Sequence, residues 1–277
     1  MVNPDNTLGT KTTPMNGDGK PIHSDKNGEP FNYNWNYRSV VGTLMYLATN
    51  SRPDIAHAVH SCACFNHNPK QSHGKTLLHI CKYLKGTSKN GLILTPSESL
   101  TLDLYVDADY AGLYSVEDPT DPICSKSRTG FVITLAGCPV DWKSTLQSES
   151  SLSTTESETI ALATALRTFI PLRESLFHIR DRFHITSKKK IHVSLKSTVY
   201  EDNAATTLLA CTKRLSPRTR HIATKHWWSI AQISNENDGN NGIFIQKIDG
   251  TVNTADLFTK NTKTKTFVCL RKLLCGW

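Results

Sequence analysis

Apolar and polar residues alternate most regularly in one stretch of the chain. Leu102, Leu104 and Val106 alternate with polar or aromatic neighbours, a period of two that is typical of a strand with one buried face. Two acidic residues, Asp107 and Asp109, lie at the end of this pattern. Polar groups at the end of a strand on a rigid sheet are well positioned for chemistry. We therefore predict that this strand is the central element of the fold.

Before this strand the apolar positions follow the helical period. The pattern predicts three helices: one over 37–48, a second that begins at the 51–54 step, and a third over 71–84. Lysines on the third helix fall mostly on its outer face, which is either a solvated surface or a surface for an anion. Residues 1–35 show almost no apolar spacing, so we predict a flexible segment there. The helical unit is assigned to 36–97.

After the strand, strands and helices mix. Strands are predicted near 130–135, 140–143, 191–200 and 242–248, and helices from Ser153, from Ala204, around 219–234 and over 255–274. Ser153 or Thr154 is expected to cap the long helix, and Pro171 to break or kink it. The order of elements predicts an α/β fold over 98–277, with a five-stranded mixed sheet flanked by helices.

Composition limits the class of protein. The 277 residues carry a formal charge of +8, which favours an anionic partner such as nucleic acid. No apolar run is long enough for a membrane span and no signal peptide opens the chain, so we expect an intracellular protein without a membrane partner. The eight cysteines form no CxxC pair, which is typical of reduced thiols.

A zinc site is a further interpretation of the helical unit. Its candidate ligands are Cys62, Cys64, His67, His73, His79 and Cys81. We disfavour it because Cys62 and Cys81 already occupy apolar faces of predicted helices.

Four acids fall at comparable places in the predicted elements. Asp107 ends a strand, Glu158 lies in the first turns of the long helix, Asp202 follows another strand, and Asp256 begins the last helix. In a mixed sheet these places can converge at one edge, where the carboxylates would repel each other and need a counter-charge. Oxygen-only ligands favour Mg²⁺ or Mn²⁺. A pair of such ions can hold the attacking water and the leaving oxygen of a phosphodiester.

The sequence also resembles a known family. The stretches that carry the resemblance are 37–48, 51–56, 83–87, 107–112, 127–131, 153–158, 201–203, 218–222 and 255–260. In this order they resemble the C-terminal part of the Pol polyprotein of copia-type LTR retrotransposons, namely the end of the reverse transcriptase followed by its ribonuclease H domain.

The resemblance implies a ribonuclease H-like fold and an endonuclease that cuts the RNA strand of RNA–DNA hybrids with two metal ions. It implies that Asp107, Glu158, Asp202 and Asp256 bind the metal, with Glu158 preferred to Glu156. The implied partners are the hybrid and the remainder of the Pol polyprotein, in a cytoplasmic virus-like particle or the nucleus.

The sequence departs from the family pattern in four respects. Ser157 stands where the family commonly has an alanine before the glutamate. The loop 113–126 is longer and more acidic than usual. Many ribonuclease H domains carry a mobile histidine after the last strand, and residues 247–250 offer none. The fingers and palm of the polymerase are absent from the chain, so no polymerase activity is expected from it.

Several polar residues are candidate contacts to nucleic acid. They are Lys143, Ser144, Gln147, Asn203, Arg218, Arg220 and Lys225. Trp142 is expected to serve the core instead.

Two alternatives to a nuclease of this type remain open. One is an inactive, transposon-derived remnant that folds and binds nucleic acid. The other is another nuclease or an integrase of the same fold class. The 44-residue separation of Glu158 from Asp202 and the fourth acid disfavour an integrase.

Overall fold

The computed structural model describes residues 9–114, 116–183, 195–214, 222, 226–234 and 242–277. The helices are α1 Tyr37–Asn50, α2 Ala56–Ala63, α3 Gln71–Gly86, α4 Thr154–Arg182, α5 Ala204–Thr212, α6 Trp227–Gln232, α7 Asp256–Thr259 and α8 Thr264–Cys275. The strands are β1 Thr101–Asp109, β2 Arg128–Leu135, β3 Cys138–Leu146, β4 Lys196–Glu201 and β5 Ile243–Lys247. None of the described helices is long and apolar enough to cross a membrane.

The five strands form one mixed sheet with β1 at its centre. The order is β3-β2-β1-β4-β5. Strand β1 pairs antiparallel with β2 and parallel with β4, while β3 and β5 extend the two sides. Val106, Val132 and Val199 therefore lie in one sheet, and the predicted five-stranded mixed sheet is confirmed.

Apolar side chains cover both faces of the sheet. On one face the alternating leucines of β1 pack against α4, with Leu162, Leu166 and Phe169 fully buried. On the other face α1, α2 and α3 share a core with Val132 and with residues of α7 and α8. Trp142 joins the helical unit to the sheet, because its Nε1 donates to the carbonyl of Ala48 at 2.7 Å. The predicted core role of Trp142 agrees with this contact.

The N-terminal segment differs from the prediction of a flexible stretch. Residues 9–35 lie along α3, where Met15 is buried in the core. His79 Nε2 donates to the carbonyl of Thr13 at 3.0 Å, and His73 Nε2 donates to the carbonyl of His23 at 2.9 Å. The residues that anchor this segment are irregularly spaced, so no periodic pattern in the sequence predicts the ordered segment.

Two helices also differ from their predicted extent. Helix α4 begins after Ser153, whose side chain accepts a hydrogen bond from Glu156 N at 3.1 Å, and it continues through Pro171 without a break. The predicted closing helix is two helices, α7 and α8, because the backbone is extended at Lys260. This interruption turns the Lys260 side chain towards the acids at the end of β1.

Candidate metal centre

The four predicted acids meet at one edge of the sheet. Asp107 lies near the end of β1, and Asp202 follows the neighbouring parallel strand β4, so both lie at the carboxyl ends of adjacent strands. Helix α4 crosses the β1 face and contributes Glu158, and α7 begins with Asp256. Carboxylate oxygens of Asp107, Asp202 and Asp256 lie within 4.8 Å of one another.

A fifth carboxylate lies beside them. Glu201, the last residue of β4, forms a second group with Glu158 and Asp202 in which one oxygen of each lies within 4.8 Å of the others. Its side chain is fully buried, and its Oε1 accepts a hydrogen bond from Asn203 N at 3.0 Å. The two groups share Asp202, so the acids form one continuous cluster.

Helix α7 reaches this edge because β2 has a glycine there. Gly130 pairs with Asp107 in the β1–β2 register. A Cβ atom at Gly130 would lie 2.6 Å from Thr259 Cγ2 and 2.8 Å from Phe258 Cβ. The missing side chain therefore allows α7 to approach the sheet. Because α7 lies this close to the sheet, the Thr259 hydroxyl can donate a hydrogen bond to Asp107 Oδ2.

Asn253 fixes the start of α7 against the central strand. Its Nδ2 donates to the carbonyl of Val106 at 3.0 Å, and its Oδ1 accepts from Ala255 N at 3.1 Å. Because Asn253 is fully buried, both hydrogen bonds are protected from water. They hold Asp256 close to the end of β1.

Lys260 is the cation that contacts these acids in the described part of the chain. Its Nζ lies 2.9 Å from Asp256 Oδ1 and 3.6 Å from Asp107 Oδ2. Burial lowers the pKa of Lys260, but attraction to Asp107 and Asp256 outweighs burial and raises the pKa above its ordinary value. The lysine is therefore charged, and one positive charge faces several carboxylates.

Burial and the excess of negative charge raise the pKa values of the clustered acids. Burial is the largest cause that raises the pKa of Glu158 and of Glu201 well above the ordinary value, and repulsion from neighbouring carboxylates adds to it. Burial and then repulsion from Asp107 raise the pKa of Asp256 to about 7, against the opposing attraction of Lys260. The same two causes raise the pKa of Asp202.

The residues present fit a hard divalent cation. All the groups are carboxylates, the ligand type that Mg²⁺ and Mn²⁺ prefer. Within the described residues, Glu158 Oε2 and Glu201 Oε2 are buried without a hydrogen-bond partner. A buried carboxylate oxygen without a partner is costly unless it is protonated or binds a cation. The cluster can therefore hold a metal ion.

The helical unit does not support the zinc interpretation. Both ring nitrogens of His73 are engaged, since Nδ1 accepts from Lys70 N at 2.9 Å and Nε2 donates to the carbonyl of His23. Among the residues that the structure describes, the groups able to hold a metal contain only acids.

Comparison with known proteins shows which family the chain is related to. Over 238 residues it is 32% identical to the retrovirus-related Pol polyprotein from transposon TNT 1-94 of Nicotiana tabacum, a match that covers 86% of this chain. Over 197 residues it is 30% identical to the Pol polyprotein from transposon RE1 of Arabidopsis thaliana, covering 71% of this chain. The chain belongs with the Pol polyproteins of retrotransposons. It spans 16% of the tobacco polyprotein and 12% of the Arabidopsis one.

No protein-family model matches this Pol-related chain. Among solved structures, the N-terminal RNase H domain of rv2228c from Mycobacterium tuberculosis, determined as a fusion with maltose-binding protein, is similar with a TM-score of 0.34 and 11% identity. That similarity covers 63% of this chain and 98% of the mycobacterial one.

The structure separates the two glutamates at the start of α4 in the Pol-related chain. Glu158 lies in the acidic cluster. Glu156 lies outside it, and its Oε2 accepts a hydrogen bond from Leu152 N at 2.6 Å. Glu156 therefore holds the residue that precedes the helix cap, whereas Glu158 lies among the other acids.

The predicted nucleic-acid contacts fall into three groups. Lys143 is exposed, and Asn203 caps α5 through its Oδ1. Ser144 and Gln147 are buried; Gln147 Nε2 donates to the carbonyl of Ser157 at 2.9 Å. Their polar groups are used inside the protein, so we no longer propose these two as contacts. Arg218, Arg220 and Lys225 lie outside the described residues.

Sequence reasoning missed several residues that build the site. They are Gly130, Glu201, Asn253, Thr259 and Lys260. All except Asn253 belong to stretches that carry the family resemblance, so the resemblance pointed to the right segments without assigning these roles. Asn253 carried no such signal, because its partner Val106 is 147 residues away.

Proposed function

We propose that this chain is a metal-dependent ribonuclease H that cleaves the RNA strand of RNA–DNA hybrids during retrotransposon reverse transcription. One observation carries the proposal: Asp107, Glu158, Asp202 and Asp256 converge at one sheet edge. The relationship to Pol polyproteins supports a substrate that arises when RNA is copied into DNA.

The carboxylates would hold Mg²⁺ or Mn²⁺. When bound, such ions lower the barrier of phosphodiester hydrolysis by stabilising charge on the attacking and leaving oxygens. The chain itself supplies orientation: Thr259 holds Asp107 by a hydrogen bond, and Asn253 fixes α7 and thereby Asp256. Lys260 provides a fixed positive charge beside the acids.

Contacts to the hybrid are proposed for Lys143 and Asn203. Arg218, Arg220 and Lys225 remain proposed contacts to phosphates. We further propose that the protein acts together with the remainder of the Pol polyprotein inside the cell, in a cytoplasmic virus-like particle or in the nucleus.

A cleavage assay tests the proposal. The RNA strand is labelled and offered in a hybrid and in an RNA duplex, with and without Mg²⁺. Wild type should cut the hybrid in Mg²⁺, and Asp202→Asn should reduce cleavage by roughly 100-fold or more, because several kcal/mol of charge stabilisation is lost. Asp103→Asn is the matched control, because Asp103 lies on the same strand and face as Asp107, about 13 Å from it.

Two results would contradict the proposal. Cleavage that persists in EDTA would show that the reaction does not need a metal ion. Absence of cleavage, with hybrid binding intact, would favour the inactive nucleic-acid-binding remnant.

A further inference from the structure

A basic groove lies beside α3, outside the acidic cluster. The cavity has a volume of about 950 Å³ and is bounded by α3 and by residues of the N-terminal segment. Four lysines line it, Lys11 and Lys20 from the segment and Lys75 and Lys82 from α3, whereas Asp18 is its one acidic residue. We call this cavity the basic groove. No described carboxylate forms a salt bridge with any of the four lysines.

The groove is built by specific contacts. His73 and His79 of α3 donate to carbonyls of His23 and Thr13, and these bonds hold the N-terminal segment along the helix. The segment therefore presents its lysines opposite those of α3. Burial is the main cause that lowers the pKa of His79, and the nearby positive charges of Lys11 and Lys82 lower it further. Their effect indicates a positive potential at His79. Like charges held face to face without a carboxylate partner suit an anionic ligand.

The groove lies next to another cavity, which reaches one acid of the cluster. A second cavity, of about 370 Å³, is lined by Asp109, Asp256 and Lys260. Both cavities share Pro21, Ile22 and Asn261 as walls. Asn261 follows Lys260 directly, and its Nδ2 donates to the carbonyl of Lys20 at 2.8 Å. The two cavities therefore adjoin at these residues.

The spacing of the α3 lysines suits a polymer with repeating charge. Lys75 and Lys82 are seven residues apart, which is two helical turns or about 10.5 Å along the axis. A nucleic-acid strand carries one phosphate per about 3.4 Å of duplex axis, so the two lysines span about three nucleotide steps.

We propose that the basic groove binds the phosphate backbone of the nucleic acid whose scissile phosphate lies at the acidic cluster. The proposal rests on the proposed function for the identity of the ligand as an RNA–DNA hybrid. The groove extends the contact surface from the sheet edge onto the helical unit.

The test compares two double variants of the full chain. Lys75→Gln with Lys82→Gln removes the α3 side of the groove. Lys265→Gln with Lys272→Gln is the matched control, because these lysines are exposed on α8, are also seven residues apart and line neither cavity. Binding of a labelled hybrid is measured in EDTA, where cleavage is prevented, over a range of salt concentrations.

The groove variant should bind more weakly, on the order of tenfold at about 0.1 M salt, and its salt dependence should flatten by up to about 1.8 logarithmic units, 0.9 per lost contact. The control should keep the wild-type slope. The KM for hybrid cleavage should rise in the groove variant and stay at the wild-type value in the control. Equal melting temperatures of the two variants check that both are folded.

Equal salt slopes in the two double variants would overturn the groove proposal. So would failure of wild type to bind the hybrid. A nuclease test that fails while the groove variant still shows the flatter slope would remove the proposed function alone, because the binding readout needs neither metal nor cleavage.

Discussion

Lys260 contacts Asp256 and Asp107, two acids that are proposed to bind metal. In the metal-free protein its charge offsets part of their mutual repulsion. When a cation is present, the lysine and the cation compete for the same carboxylates. This residue should therefore stabilise the protein less when metal is bound than when metal is absent.

Replacing Lys260 by methionine tests this competition. Without metal, the variant should be less stable by about 1 kcal/mol, a small value because the lysine side chain is 41% exposed. The increase in Tm on adding Mg²⁺ should be larger than in wild type, because the cation no longer competes with an internal charge. Thermal unfolding in EDTA and in Mg²⁺ measures both effects.

Lys265→Met is the control for the loss of a lysine, since Lys265 is exposed on α8. It should leave both melting temperatures unchanged. An identical Mg²⁺ response in Lys260→Met and wild type would show that the lysine does not compete for the proposed metal ligands.

At the scale of elements, the site depends on how closely α7 approaches β2. Gly130→Ala should force α7 away, because the new Cβ would overlap with Thr259 and Phe258. We expect a loss of about 1 to 3 kcal/mol in unfolding free energy, typical of overpacking. The Mg²⁺-induced rise in Tm should also shrink, because Asp256 moves with α7.

Gly42→Ala provides the matched control. Gly42 lies in α1, and a Cβ atom there meets no other atom within 4 Å. Alanine should stabilise this helix by roughly 0.5 to 1 kcal/mol, since glycine is the poorer helix former. A normal Mg²⁺ response in Gly130→Ala would show that the close packing of α7 is not needed for the site.

Element boundaries were predictable where the signal is local. Ser153 caps α4 by accepting a hydrogen bond from Glu156 N, three residues on, and the alternation of β1 places its leucines in the core. The break after α7 was not predictable, because it serves contacts of Lys260 with Asp107, far away in the chain. Pro171 shows the opposite case, because a residue type that often ends a helix lies within the continuous helix α4.

At the scale of the whole molecule, charge is divided between two places. The chain carries a formal charge of +8, yet five carboxylates gather at one sheet edge. The basic groove adjoins this edge. A cluster of acids alone would repel a polyanion, and the neighbouring lysines of the groove would offset this repulsion with or without metal ions.

The acidic cluster should also leave a pH signature on folding stability. In the metal-free folded protein the pKa of Asp256 is raised to about 7, mainly by burial and then by Asp107, whereas an unfolded aspartate has an ordinary value near 3.8. Between these pH values the folded state binds more protons than the unfolded state. The unfolding free energy contributed by Asp256 therefore falls as the pH rises through this window.

Buried histidines act in the opposite direction. Burial lowers the pKa of His57, and it lowers the pKa of His60 to about 4, so their contribution to stability is lost as the pH falls below about 6.5. The total pH dependence of wild type mixes both effects. The informative quantity is the difference in Tm between Asp256→Asn and wild type, because the histidines are common to both proteins.

We predict that this difference, variant minus wild type, increases from pH 5 to pH 8 in EDTA by roughly 2 to 4 °C, the shift expected for about 1 kcal/mol in a protein of this size. At pH 8 wild type pays the cost of the ionised Asp256, and the asparagine variant does not. Adding Mg²⁺ at pH 8 should reverse the order, because the cation stabilises the ionised acids of wild type and binds the variant less tightly. A difference in Tm that is the same at both pH values would show that Asp256 ionises normally in the folded protein, and the argument for a crowded metal-binding cluster would lose its electrostatic basis.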